Sequence, residues 1–116
     1  MTNYKGSCHC GNVTFEINGK IENIVECNCS ICTIRGHLLW FVPKTDIKFT
    51  KGGDDAMGAY QFGKKHITHR FCKNCGTSMM SDGEQQGAVK AGINIKVLLG
   101  VDVTLFDTYK YDGAKL

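Results

Sequence analysis

Along residues 12–18, NVTFEIN, the apolar side chains Val13, Phe15 and Ile17 alternate with the polar Thr14, Glu16 and Asn18. A period of two puts the two sets on opposite faces of a pleated strand, so the segment predicts a half-buried β-strand. ENIVECN (22–28), HLLWFVP (37–43), DIKFT (46–50), GAYQF (58–62), HITHRFC (66–72) and AVKAGINI (88–95) read the same way, giving about seven short strands. No helical period is sustained. SICTIRG (30–36) predicts one or two helical turns, opened by Ser30 as a capping residue and closed by Gly36. KGGDDAMG (51–58) reads as a mobile loop, and no linker, repeat or low-complexity run divides the chain. The fold class predicted is mainly β.

At 116 residues the chain suits one domain with a modest core, near the size at which an added staple matters. No stretch approaches the roughly 18–20 apolar residues that span a bilayer, and MTNYKGS lacks the apolar run of a signal peptide. The expected compartment is therefore the cytoplasm, with no membrane partner. Seven cysteines in a reducing compartment point to metal ligands or catalytic groups before disulfides, and an odd number strands one thiol in any all-disulfide scheme.

The formal net charge of +3 suggests a nucleic-acid partner only if the thiols are neutral. A zinc ion bound by four thiolates carries −2 and one bound by three carries −1, which together cancel the +3. The lysines are also scattered and no basic stripe or aromatic platform stands out, so no nucleic-acid partner is expected.

The cysteines form three groups: Cys8 and Cys10, then Cys27, Cys29 and Cys32, then Cys72 and Cys75. Thiols one residue apart do not bridge each other readily, but they converge easily on one ion. Cys72 and Cys75, followed at once by Gly76, form a C-x2-C knuckle that turns both sulfurs toward one metal. With Cys8 and Cys10 it completes a closed four-sulfur zinc site. The middle group has three thiols and no evident fourth partner, the ligand count of a zinc that keeps a position open for water or substrate. These three could instead be reduced, partly buried thiols, and His37 could close the site as a fourth ligand or serve only as a hydrogen-bonded residue. His9 lies between two ligands and should point away from their metal. His66 and His69, three apart on one strand, face opposite sides. Met79 and Met80 read as packing residues. Trp40 and Phe41 either line a pocket near the open site or belong to the core, and Arg35 either steers a substrate carboxylate or is a solvated helix-end cation.

With these motifs in place the chain resembles the glutathione-dependent formaldehyde-activating enzyme (GFA) family, whose domain also occurs in centromere protein V. GSCHCGNVTFEI, CNCSICTIRGHLLWFV, YQFGKKHITHRFCKNCGT, INIKVLLGVDV and the late YDGAKL each resemble a family block, in order. The resemblance implies an Mss4-like fold of zinc-bound antiparallel sheets, forming a single GFA-type domain over residues 1–116. It makes Cys8, Cys10, Cys72 and Cys75 the structural zinc ligands and Cys27, Cys29 and Cys32 the catalytic ones. The activity implied is that of a carbon–sulfur lyase acting on a thiol–aldehyde adduct of the S-hydroxymethylglutathione type, with glutathione as the thiol. The alternative is a non-catalytic, zinc-stabilised binding module. Two features depart from the family: the enzyme that named it is longer, and TSMMSDGEQQ (77–86) replaces a proline- and aromatic-containing run, which bears on the pocket wall.

Overall fold

The structure, a computed structural model, describes residues 2–115; Met1 and Leu116, the ends of the expected domain, lie outside the described residues. A three-stranded antiparallel sheet has the order β1 (Thr2–Ser7), β2 (Thr14–Gly19), β5 (Lys48–Lys51). The second sheet has seven strands. Its order is β10 (Thr108–Tyr111), β3 (Ile24–Cys27), β4 (Leu39–Pro43), β9 (Ala88–Asn94), β8 (Ser78–Gln85), β7 (Ile67–Cys72), β6 (Met57–Tyr60). Every pairing is antiparallel except that of β10 with β3. One helix, α1 (Ser30–Arg35), follows β3, and five short 3-10 turns complete the described residues. Among the described residues no helix is long and apolar enough to cross a membrane.

The alternation in β2 has the expected effect: Val13, Phe15 and Ile17 are at most 2% exposed and meet Ile24, Trp40, Met57, Met79, Met80 and Ile93 in one core cluster shared by both sheets. Each large apolar side chain withdrawn from water contributes roughly 1.5–3 kcal/mol. Met79 and Met80 are packing residues as expected, and Trp40 is a core residue with its ring edge-on to Tyr4 at 5.8 Å. Phe41 lies exposed over Gly92 on the neighbouring strand.

Three strands lie beyond the seven expected. Strand β8 carries four consecutive buried residues, Met79, Met80, Ser81 and Asp82, so it shows no period of two. Its polar members are satisfied: Ser81 Oγ lies 2.9 Å from His69 Nδ1, and Asp82 accepts from Arg70 at 2.5 Å and pairs with Lys44 at 3.1 Å. Strand β10 is exposed throughout, and β1 (TNYKGS) buries only Gly6 and is otherwise polar but for the partly buried Tyr4, leaving neither with an alternating apolar face to read.

The segment 51–58 is not one continuous loop. It ends β5, makes a 3-10 turn at Asp54–Ala56 and begins β6 with the buried Met57. Asp54 pairs with Lys44 at 2.8 Å and Arg70 at 3.6 Å, which ties the turn to the second sheet. In α1 the N-cap is Cys29, whose carbonyl accepts from Thr33 at 2.9 Å; Ser30 is the first helical residue and makes no cap. Gly36 closes the helix as expected, donating to the Cys32 carbonyl at 2.8 Å.

Candidate functional site

The loop after β1 carries Cys8 and Cys10, and β7 runs into the knuckle that carries Cys72 and Cys75. Their four Sγ atoms lie within 4.8 Å of one another. Cys10 Sγ is 3.6 Å from both Cys8 Sγ and Cys72 Sγ. Four thiolates about 2.3 Å from one zinc stand about 3.8 Å apart when tetrahedral, so the group fits such an ion. Because β1 and β2 belong to the first sheet and β7 and β8 to the second, the four thiols join the two sheets.

Local backbone geometry aims these sulfurs. The Val13 N–H points at Cys8 Sγ at 3.3 Å, while the Cys8 N–H donates to the Val13 carbonyl at 3.0 Å. In the knuckle the Gly76 N–H donates to the Cys72 carbonyl at 2.9 Å, with Gly76 at φ +80°, a conformation glycine adopts without a Cβ penalty. Thr77 Oγ1 bridges the two loops, 3.1 Å from Cys75 Sγ and 3.3 Å from the His9 N–H. That hydroxyl, with the backbone N–H groups of Thr77 and Cys10, pulls the Cys75 thiol down to about 5. The Asn74 side chain and Asn12 N–H lower Cys10, whereas burial and the shared bonds with Cys10 and Cys75 raise Cys72 against the pull of the Cys75 N–H. Like charges so close do not all ionise unless a cation joins them. His9 is exposed and lies outside the group, as expected.

The second group is local in sequence. Cys27 ends β3, Cys29 caps α1 and Cys32 is the third residue of that helix, so the change from extended to helical backbone folds the three sulfurs to within 4.8 Å of one another. Among the described residues no fourth thiol, imidazole or carboxylate joins them. His37 is instead a hydrogen-bond partner of one member: its Nε2 is 3.2 Å from Cys32 Sγ and its Nδ1 is 3.2 Å from Ser78 Oγ. Burial, reinforced by the nearby Arg35, His69 and Lys96 charges, holds His37 down at about 4 and so neutral at pH 7. Burial together with hydrogen bonding and charge from Cys29 and Cys27 pushes Cys32 up. Burial also opposes ionisation of Cys29, but the Cys32 N–H and the flanking thiols outweigh it and lower that thiol.

Two of these thiols, Cys27 and Cys32, border a cleft of about 450 Å³ together with Thr33, His37, Glu26, Lys110 and Asp112. The chain after β10 straps the edge of this cleft. The Asn28 N–H donates to the Tyr111 carbonyl at 3.1 Å, Asn28 Nδ2 to Asp112 at 3.0 Å, and the Ala114 N–H to Asn28 Oδ1 at 3.0 Å. Gly113 packs so tightly that a Cβ there would lie 2.6 Å from Cys27 Sγ. The strap residues and Ser78 are the part that sequence reasoning missed; the late Asp-Gly pair was the only signal for the strap.

Arg35 does not border this cleft. Its guanidinium lies 6.0 Å over the Phe71 ring and donates to Ser78 Oγ at 3.3 Å, lining a second cleft of about 480 Å³ with Ile31, Ile34, Tyr60 and Phe62. It is therefore neither a freely solvated cation nor placed beside the three thiols. His66 is exposed and His69 buried, and neither joins a thiol group.

The fold and its sulfurs define a mainly β domain with two thiol groups, each of which could hold a metal ion. The chain belongs to the glutathione-dependent formaldehyde-activating enzyme family, whose sequence model matches residues 3–104 and so takes in all seven cysteines. It is also similar to the crystal structure of a Rhodobacter sphaeroides protein: the TM-score is 0.80 at 28% identity, covering 92% of this chain and 99% of that one.

Proposed function

We propose that this chain is a zinc-dependent carbon–sulfur lyase that makes and breaks the bond between a thiol and a small aldehyde, with an adduct of the S-hydroxymethylglutathione type. The observation that carries this reading is the convergence of three thiols, without a fourth, two of which, Cys27 and Cys32, border a cleft that holds charges of both signs. Cys8, Cys10, Cys72 and Cys75 hold a structural zinc, and Cys27, Cys29 and Cys32 hold a second one. Bound there, zinc supplies Lewis acidity toward a thiol sulfur or a carbonyl oxygen.

The chain's own side chains select and orient the substrate. The Lys110 ammonium suits a carboxylate, and the Glu26 and Asp112 carboxylates suit an ammonium, a pairing that matches a zwitterionic thiol peptide such as glutathione. In the synthetic direction the thiol loses its S–H proton and the sulfur pair forms the new C–S bond. The carbonyl π pair moves to oxygen, which takes up a proton; the lyase direction is the reverse. The described residues constitute one domain of this type, and thiols kept for metal require a reducing compartment, the cytoplasm.

The test is the exchange rate between glutathione, formaldehyde and their adduct, measured by NMR with the zinc-loaded protein. The rate should rise in proportion to protein; a rate equal to that of buffer with the same free zinc overturns the reading. Titrating glutathione into the cobalt-substituted protein tests the thiol separately. Millimolar-order glutathione should shift the second site's absorption, and an unchanged spectrum removes glutathione as substrate while leaving the metal assignment standing.

A further inference from the structure

A chain of hydrogen bonds leads away from the three-thiol group through side chains that no cysteine motif contains. Arg35 Nη1 lies 3.3 Å from Ser78 Oγ, Ser78 Oγ lies 3.2 Å from His37 Nδ1, and His37 Nε2 lies 3.2 Å from Cys32 Sγ. Its parts are held from several elements. Asn94 Nδ2 donates to the Ser78 carbonyl at 2.8 Å, and Lys96 Nζ donates to the carbonyl of Gly36, the residue before His37, at 3.1 Å. His37 is 4% exposed, so its ring has little room to turn toward solvent.

The directions of these bonds follow from donor chemistry. A guanidinium only donates, so Ser78 Oγ accepts from Arg35. The hydroxyl keeps one proton of its own, and His37 Nδ1 is the acceptor within reach. A singly protonated imidazole that accepts at Nδ1 carries its proton on Nε2, and that N–H is aimed at the Cys32 sulfur. Such a donor is satisfied by a thiolate, the form in which cysteine binds a metal, and a hydrogen bond to a ligating sulfur fixes its direction and disperses its charge.

We propose that His37 is the positioning residue of the three-thiol metal site, held in its Nε2–H tautomer by Ser78 and Arg35 so that it donates to the Cys32 thiolate. This rests on Cys27, Cys29 and Cys32 holding a metal and not on the reaction catalysed there. It also gives the segment 77–86 a role, since the residue after Thr77 sets the histidine's tautomer from across the sheet.

Nitrogen-15 NMR of the wild-type protein, loaded with zinc at pH 7.5, reads the tautomer directly and requires no variant to fold. The Nε2–H form of His37 supports the proposal, and the Nδ1–H form overturns it. Cobalt titrations then compare the wild type with His37→Ala, His37→Gln and Ser78→Ala. Outer partners of metal ligands are generally worth about 10- to 100-fold in affinity. His37→Ala should lose that much at the three-thiol site with the four-thiol site unchanged, Ser78→Ala should lose less, and His37→Gln, which keeps a donor near the Nε2 position, should recover part of it. Equal affinity in His37→Ala and wild type overturns the proposal and leaves the lyase reading intact. Failure of the wild type to bind any metal at these thiols overturns both.

Discussion

A Cys72→Ser chain is expected to be recovered insoluble or molten, without the cooperative melting transition of the wild type. Cys72 is 1% exposed, its Sγ is 3.6 Å from Cys10, and it belongs to the one thiol group that reaches from the hairpin β1–β2 to strands β7 and β8. Structural zinc sites in general supply on the order of 10 kcal/mol of apparent binding energy to folding. A typical domain is stable by only roughly 5–15 kcal/mol in total. Losing the ion while leaving three thiols gathered around an incomplete site therefore removes a share comparable to the whole. Near-UV circular dichroism and calorimetry check this, and an unchanged melting temperature in Cys72→Ser would contradict the structural assignment.

The same substitution at Cys29 should have the opposite profile: a folded protein, a small fall in melting temperature, one bound zinc in place of two, and no acceleration of thiol–aldehyde exchange. The reason lies in topology. Cys27, Cys29 and Cys32 fall within six consecutive residues at the end of β3 and the start of α1, so a metal there links segments that are already neighbours. It closes no long loop and joins no second sheet, and its contribution to folding is correspondingly small. The four-thiol group remains to hold the sheets together. Metal analysis beside a thermal melt decides the matter: a Cys29→Ser variant that unfolds as completely as Cys72→Ser would make the second group structural.

Much of this was legible in the residues because metal ligation leaves a spacing that burial does not blur. Cys8, Cys10, Cys72 and Cys75 converge although 62 residues separate Cys10 from Cys72. Strand β2 was equally plain, since one of its faces is core and the other is polar. Strand β8 was not: Ser81 and Asp82 are buried alongside Met79 and Met80, and the partners that make this tolerable, His69, Arg70 and Lys44, come from elsewhere in the chain. A periodicity carries no information about such partners. The turn at Asp54 was read as part of a loop for the same reason: the partners that fix it, Lys44 and Arg70, come from elsewhere in the chain.

At the site, the two thiol groups were visible and their surroundings were not. His37 offered two readings, ligand or hydrogen-bonded residue, and the choice depends on Ser78, 41 residues away. Lys110 and Asp112 reach the cleft only because β10 pairs in parallel with β3, a long-range pairing made by a strand with no apolar face. Gly113 likewise acquires its importance from the Cys27 sulfur it packs against.

The claim on which the account stands is that Cys27, Cys29 and Cys32 form a metal site with a position left open. Anomalous scattering across the zinc edge, from crystals of the wild-type protein grown in reducing buffer with zinc, measures this most directly. Two zinc peaks per chain are predicted, one among Cys8, Cys10, Cys72 and Cys75 and one among Cys27, Cys29 and Cys32, the second with a solvent molecule or added thiol completing its coordination. A single peak at the four-thiol group, with Cys27, Cys29 and Cys32 free or disulfide-bonded under those conditions, would contradict it and leave a zinc-stabilised binding module in place of the enzyme.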